Sequence, residues 1–180
     1  MEFSILYWLQ GLHDPVLDRL MTAVTFLGNG GWFWIVLGLV LLAGKRTRKV
    51  GLAVLLSLLG GLIIGNVFLK NLVCRSRPCW LDPSVPLLIS SPHDFSFPSG
   101  HTLASFEGAV SVWLYHRRWG TVLLVLAVVI GFSRLYLFVH FPTDVLAGAV
   151  LGTLIAVTVH WVLERRCGAR EKADGKSCST

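Results

Sequence analysis

Phe95-Ser96-Phe97-Pro98-Ser99-Gly100-His101 stands at the mouth of an apolar run that continues to Tyr115. Pro98 stops any helix that precedes it. Ser99 is a favourable N-cap, and Gly100 lets the backbone come close to a ligand. The first amides of the following helix, Gly100 and His101 among them, lack intrahelical partners and favour an anion, most often a phosphate. His101 adds a group that can give or take a proton near neutral pH. Alone this is only a helix start; two further polar clusters give it meaning.

Composition says where those clusters must lie. A chain of 180 residues is one domain by length, and 54% of it is hydrophobic against 14% charged. With a mean hydropathy of +0.67, a soluble core of this size could not hide so much apolar surface, so the solvent is lipid. The net charge of +6 would suit nucleic acid, but its placement excludes that partner. Eleven of the 16 Lys and Arg fall in Lys45 to Lys49, Arg117-Arg118 and the tail from Arg165 to Lys176. These read as cytoplasmic flanks under the positive-inside rule. Arg19, Lys70, Arg75, Arg77 and Arg134 lie elsewhere. The four cysteines do not make a secreted framework: Cys74 and Cys79 share a loop, where they can pair or stay free, and Cys167 and Cys178 sit in the basic tail. No cleavable signal peptide is expected, since no basic n-region opens the chain.

The expected fold is an all-α integral membrane protein, a bundle of five transmembrane helices with N-terminal interfacial helices. Residues 3–12 and 15–27 are each shorter than the roughly 20 residues a span needs and are read as lying in the interface. If they cross instead, the count is six. Spans are predicted over 32–44, 50–69, 99–115, 120–138 and 142–164, with Trp32 and Trp34 as outer anchors. Gly60, Gly61 and Gly65 predict close helix packing. Residues 71–97 form the longest loop. Residues 1–166 make one transmembrane domain, and 167–180 a polar, unstructured cytoplasmic tail. This topology puts Lys70 to Arg77, Ser99 to His101 and Arg134 to Asp144 on one side of the membrane, opposite the basic loops.

The first cluster is Lys70-Asn71-Leu72-Val73-Cys74-Arg75-Ser76-Arg77-Pro78. On a continued helix a separation of seven puts Lys70 and Arg77 on one face, where two cations suit the non-bridging oxygens of a phosphoryl group. A juxtamembrane basic patch gripping anionic lipid would look similar. In the third cluster Arg134 lies in an apolar run, where a charge costs about 3 kcal/mol and marks function. Asp144 follows His140 by four residues, close enough to hold one ring nitrogen and leave the other free as a nucleophile. Phosphoryl transfer needs an in-line nucleophile, an acid for the leaving oxygen and donors around the equatorial oxygens. His140 is the expected nucleophile, Asp144 its stabiliser and His101 the acid. Lys70, Arg77, Ser99, Gly100 and Arg134 are the expected phosphate ligands. No metal and no cofactor is expected.

Lys-x6-Arg-Pro (70–78), Pro-Ser-Gly-His (98–101) and Ser-Arg-x5-His-x3-Asp (133–144) together resemble the three-part signature of the type 2 phosphatidic acid phosphatase superfamily. The resemblance implies a helical bundle, an extracytoplasmic site, a phosphohistidine intermediate and independence of metal. It also implies lipid phosphates as substrates, with undecaprenyl diphosphate the best fit to this short chain, and phosphatidylglycerophosphate or phosphatidic acid as alternatives. The partners expected are a lipid phosphate and the bilayer of a bacterial inner membrane; the oligomeric state is left open. A vanadate-dependent haloperoxidase and a non-catalytic headgroup-binding or transport protein are the rivals. Glu107, a carboxylate in mid-span, is expected to face either the bundle interior or the site cavity. Arg75, His93 and Asp94 are taken as loop residues near the site, with Arg75 read as a solvated loop charge and contact with a second phosphate as its alternative.

Overall fold

The computed structural model describes the backbone of residues 1–174 and the side chains of residues 1–167. Among them every regular element is helical. The central one is α7 (Gly100–Tyr115), packed between α8 (Arg117–Tyr136), α9 (Pro142–Asp174) and α4 (Arg48–Gly61), with α3 (Trp32–Ala43) against α4. Small residues let these backbones approach. A Cβ on Gly148 or Gly152 of α9 would stand 2.8 Å from the Ser99 carbonyl oxygen or 2.6 Å from that of Leu103. Gly61 and Gly65 likewise leave room for Glu107 and Leu103. The outward faces are apolar: Val122, Val125 and Val128 on α8, and Leu146, Val150, Leu154 and Val157 on α9, are exposed at helical spacing. That pattern suits hydrocarbon as the surroundings.

Three described stretches are long and apolar enough to cross a membrane: Arg48–Leu81 (helical without a break as far as Val73), Arg117–Tyr136 and Pro142–Cys167. Pro15–Leu27 and Asn29–Ala43, bent by 44°, make a fourth if taken as one broken span. The expected five are reached only by adding α7, whose 16 residues extend about 24 Å. Enclosure by its neighbours, not length, keeps α7 in the bundle. The six-span alternative fails at α1 (Glu2–Gln10). Glu2 contacts Thr143, while Gln10 Nε2 donates to the Tyr136 carbonyl at 2.9 Å. Both ends thus rest on residues 136–143, and α1 lies across them as a cap, with Phe3 against Phe141 and Tyr7 against Phe138.

α2 (Pro15–Leu27) begins at an N-cap, Asp14, whose Oδ1 accepts from the Val16 and Leu17 amides, with Pro15 at the first position. It lies along α8, where Asp18 accepts from the Tyr136 hydroxyl at 2.6 Å. Trp34 is not the interfacial anchor expected. It is fully buried, its indole over Gly108 and its Nε1 donating to Ser105 Oγ at 3.1 Å. Two breaks shape the approach to the site. After α4 the helix widens into a π-helical segment, Leu62–Leu69, and then tightens into α5 (Lys70–Val73). At the other end of the bundle α9 continues to Asp174, into the stretch expected to be unstructured; the rest of that stretch lies outside the described residues.

Candidate active site

The shared helical face expected for Lys70 and Arg77 does not form. α5 stops at Val73 because Cys74 takes a left-handed conformation (φ 49°). Arg77 is in extended backbone just before α6 (Pro78–Leu81), which Pro78 begins rather than ends. The turn brings the two cations together instead, both nearly buried at 7% and 2% exposure. Their common partner is Asp94, whose Oδ2 meets Lys70 Nζ and whose Oδ1 accepts from Arg77 Nη2 at 2.7 Å. Arg77 Nε also donates to the Asp94 carbonyl at 2.7 Å, and its Nη1 to that of Val139 at 2.8 Å. Burial opposes the charge on Asp94, but the hydrogen bond and charge of Lys70, with Arg77 behind them, hold its carboxyl down to about 2.

α8 ends beside the site with the Val139 amide bonded to the Arg134 carbonyl, and Phe138 in left-handed backbone (φ 59°) turns the chain. That turn places His140, at 1% exposure, between two sets of partners. Its Nε2 lies 3.0 Å from Arg77 Nη1, which can only donate, so Nε2 is the unprotonated nitrogen. The proton is then on Nδ1, 3.3 Å from Ser96 Oγ and 3.7 Å from Asp144 Oδ2. Ser96 in turn donates to Asp144 Oδ2 at 2.6 Å. Asp144 therefore steadies the ring chiefly through Ser96, which the sequence reading passed over. Burial pushes the imidazole down to about 3, against the pull of Asp144. It rests neutral, the nucleophilic form.

Asp144 is fully buried and also accepts from the Phe141 amide at 2.8 Å and from Arg75 Nη1 at 2.6 Å. Arg75 is thus no solvated loop charge. It bridges Asp144, Thr143 and Glu2 and lies 4.1 Å over the Phe141 ring. Arg134, at 3% exposure, donates through Nη1 to Thr25 Oγ1 of α2 at 2.6 Å, and its buried Nε has no partner. His101 is held by the Gly28–Gly31 turn, its Nε2 2.8 Å from Asn29 Oδ1 and its ring against Gly28. Ser99 is the N-cap residue of α7 by position but makes no side-chain cap. Its amide donates to the Asp144 carbonyl at 3.1 Å and its Oγ accepts from Thr102. That bond ties the second motif to the third. Gly100 backs onto Asn66, where a Cβ would come within 2.9 Å of Oδ1.

Two cavities meet here. The larger, about 1160 Å³, is lined by Lys70, Arg77, Gly100, His101, Arg134 and His140, along with Asp94, Asn29 and Arg19. Ser99 and Asp144 stand behind this wall and do not line it. The second, about 560 Å³, shares Lys70, Gly100 and His101, then runs past Asn66 and Glu107 between leucines. Glu107 is buried with Oε1 unpartnered, so it faces this second cavity. Cys74 and Cys79 are both free thiols. Among the described residues no group of three or more His, Cys, Asp or Glu is placed to hold a metal ion. The arrangement can present a neutral imidazole to a phosphorus atom surrounded by three fixed cations.

Ser96→Ala removes the link between His140 and Asp144 without touching either. The variant is expected to keep KM and lose about 10-fold to 100-fold in kcat, the usual cost of an orienting partner. Steady-state kinetics on a lipid phosphate would check it; an unchanged kcat would mean the 3.7 Å contact suffices.

The PAP2 superfamily profile matches residues 50–167 of this chain. The chain is 37% identical over 141 residues to the undecaprenyl-diphosphatase of Sulfolobus acidocaldarius, covering 78% of this chain and 68% of that one. It is also 37% identical over 147 residues to the bacitracin transport permease protein BcrC of Bacillus licheniformis, covering 80% and 72%. Among solved structures it is similar to the transmembrane PAP2-type phosphatidylglycerolphosphate phosphatase of Bacillus subtilis, with TM-score 0.74 and 28% identity, covering 90% of this chain and 84% of that one.

Proposed function

The chain belongs to the PAP2 superfamily, and from that premise we propose that it cleaves undecaprenyl diphosphate to the monophosphate and inorganic phosphate. It is a multi-pass membrane protein and a phosphatase of lipid phosphates. The observation that carries the catalytic reading is the state of His140: Nε2 unprotonated beside Arg77, Nδ1 tied through Ser96 to Asp144. His140 Nε2 attacks the terminal phosphorus and the P–O bond to the lipid breaks. The leaving oxygen takes a proton from His101. His101 then accepts a proton from water as that water attacks the phosphohistidine, releasing phosphate and restoring the imidazole. Lys70, Arg77, Arg134 and the Gly100 amide hold the transferred group; Ser99 acts from behind, through the backbone of Asp144. Charge is supplied by these side chains, so no metal enters the scheme.

The second cavity supports a lipid substrate, since it leads from His101 along a leucine-lined path suited to the start of a tail. The basic segments at the other end of the bundle support a site on the extracytoplasmic face of a bacterial plasma membrane. The domain is taken as residues 1–166, with 167–180 as a cytoplasmic tail. A second substrate reading, phosphatidylglycerophosphate or phosphatidic acid, is favoured by Asn66 and Glu107. Asn66 Oδ1 and Glu107 Oε1 are open acceptors that suit the glycerol hydroxyl of a phosphatidylglycerophosphate headgroup, a donor that a plain prenyl chain lacks.

Phosphate release by purified protein over a panel of lipid phosphates decides between them. The expected result is the highest kcat/KM on undecaprenyl diphosphate, inhibition by vanadate and indifference to EDTA. A preference for glycerol-based substrates would install the second reading. Loss of activity on chelation, restored by a divalent ion, would overturn the mechanism.

A further inference from the structure

The carboxylate of Asp94 occupies the position where a bound phosphoryl group is wanted. One oxygen meets Lys70 and the other Arg77, the division that two non-bridging phosphate oxygens would make between the same cations. The two sides of this contact differ in freedom. Arg77 is buried and held by the Asp94 and Val139 carbonyls, and Lys70 is buried beside it, whereas the Asp94 side chain is 56% exposed at the edge of the larger cavity. It can swing into water without burying its charge; they cannot follow it. Asp94 also leaves donor capacity unused, because Arg134 lines the same cavity and its buried Nε–H has no partner. A carboxylate has two oxygens to offer, a terminal phosphoryl group three.

We propose that Asp94 is a specificity-determining residue: a tethered anion that admits terminal phosphoryl groups and turns away phosphodiesters. The proposal rests on the reading that Lys70 and Arg77 bind the transferred phosphate. The cavity is expected to open on a membrane surface whose anionic lipids are largely phosphodiesters, each with a single charge and two non-bridging oxygens. Such a headgroup meets a competitor of equal charge that is already in place and, being tethered, is present at millimolar or higher effective concentration. A terminal phosphate carries about −1.5 to −2 charges and three acceptor oxygens near neutral pH. It gains more from Lys70, Arg77 and Arg134 than Asp94 does, and displaces it. Asp94 stays ionised through this exchange, since its free carboxyl would titrate far below neutral pH.

The test is competition in mixed micelles of a neutral detergent. A long-chain lipid phosphate is the substrate and phosphatidylglycerol the phosphodiester competitor, with the Ki of phosphatidylglycerol and the substrate KM as readouts. Asp94→Asn is expected to lower that Ki at least 10-fold and to lower KM. Asp94→Glu, which keeps the charge, is expected to preserve discrimination. Asp94→Ser is measured alongside, so that the outcome does not depend on the folding of a single variant. A Ki that is unchanged or higher in Asp94→Asn and Asp94→Ser, with Lys70→Ala raising KM in the same assay, would overturn the proposal and leave Asp94 as a spacer for the cations. If Lys70→Ala and Arg77→Ala both leave KM and kcat unchanged, the phosphate-site reading itself falls, and the proposal with it.

Discussion

Replacing His140 by alanine is expected to end turnover, with kcat reduced on the order of 10⁴-fold or more, as for loss of a catalytic nucleophile. The ring is nearly buried and packed at the turn after α8, so the truncation also leaves a small void. That cost, about 1–3 kcal/mol, leaves a protein that still folds and still binds substrate. The loss should therefore fall on kcat and not on KM. A quench with labelled lipid phosphate separates the roles of the two histidines. Wild type, trapped in alkali, should carry acid-labile phosphate on His140, and His140→Ala should carry none. His101→Ala should form the phosphoenzyme slowly and fail to release it. Phosphate release by His140→Ala at the wild-type rate would remove the proposed nucleophile.

Arg77→Ala is expected to be nearly as damaging, for a different reason. This one guanidinium donates to the Asp94 carbonyl and carboxylate, to the Val139 carbonyl and to His140 Nε2. Removing it leaves the Asp94 carboxylate with Lys70 alone, strands the Val139 carbonyl, and takes away a cation meant for the developing charge on the phosphoryl oxygens. Loss of a transition-state donor of this kind costs about 10³-fold in kcat/KM. The ion pair itself adds little to stability, because its Asp94 side is 56% exposed, whereas leaving the buried Val139 carbonyl without this donor costs about 1–3 kcal/mol. Arg77→Lys should rescue little, because a single ammonium cannot span Val139, His140 and Asp94 at once. Thermal unfolding in detergent beside the kinetics would separate the two losses. Recovery of wild-type kcat/KM by Arg77→Lys would show that only charge matters at this position.

The candidate site residues are visible in the sequence; how they are held is not. His140 and Asp144, four apart, and the Pro98 to His101 turn are local, and local spacing was enough to single them out. Lys70 and Arg77 stand together, but not on the expected helical face, because Cys74 turns left-handed and ends the helix before Arg77. The supporting residues were illegible because each acts across a long stretch of chain. Ser96 reaches His140 across 44 residues, Asn29 reaches His101 across 72 and Thr25 reaches Arg134 across 109. Nothing in the local pattern around Asn29 or Thr25 separates them from ordinary turn and helix residues. Asp94 is likewise remote from its partners, 17 residues from Arg77 and 24 from Lys70. Trp34 was misplaced because an aromatic near a span end suits an interfacial belt as well as a buried slot over Gly108; only the glycine opposite decides.

The cap formed by α1 has a consequence for how the protein is made. Glu2 is synthesised 141 residues before its partner Thr143. At ribosomal speeds of about 5–20 residues per second, α1 waits on the order of ten seconds before the surface it covers exists. Its apolar side, with Leu6 and Leu9, must be sheltered meanwhile by headgroups or by the insertion machinery. Arg134 and His140, which line the larger cavity, also emerge late, so a truncated nascent chain does not display the finished candidate site to the bilayer.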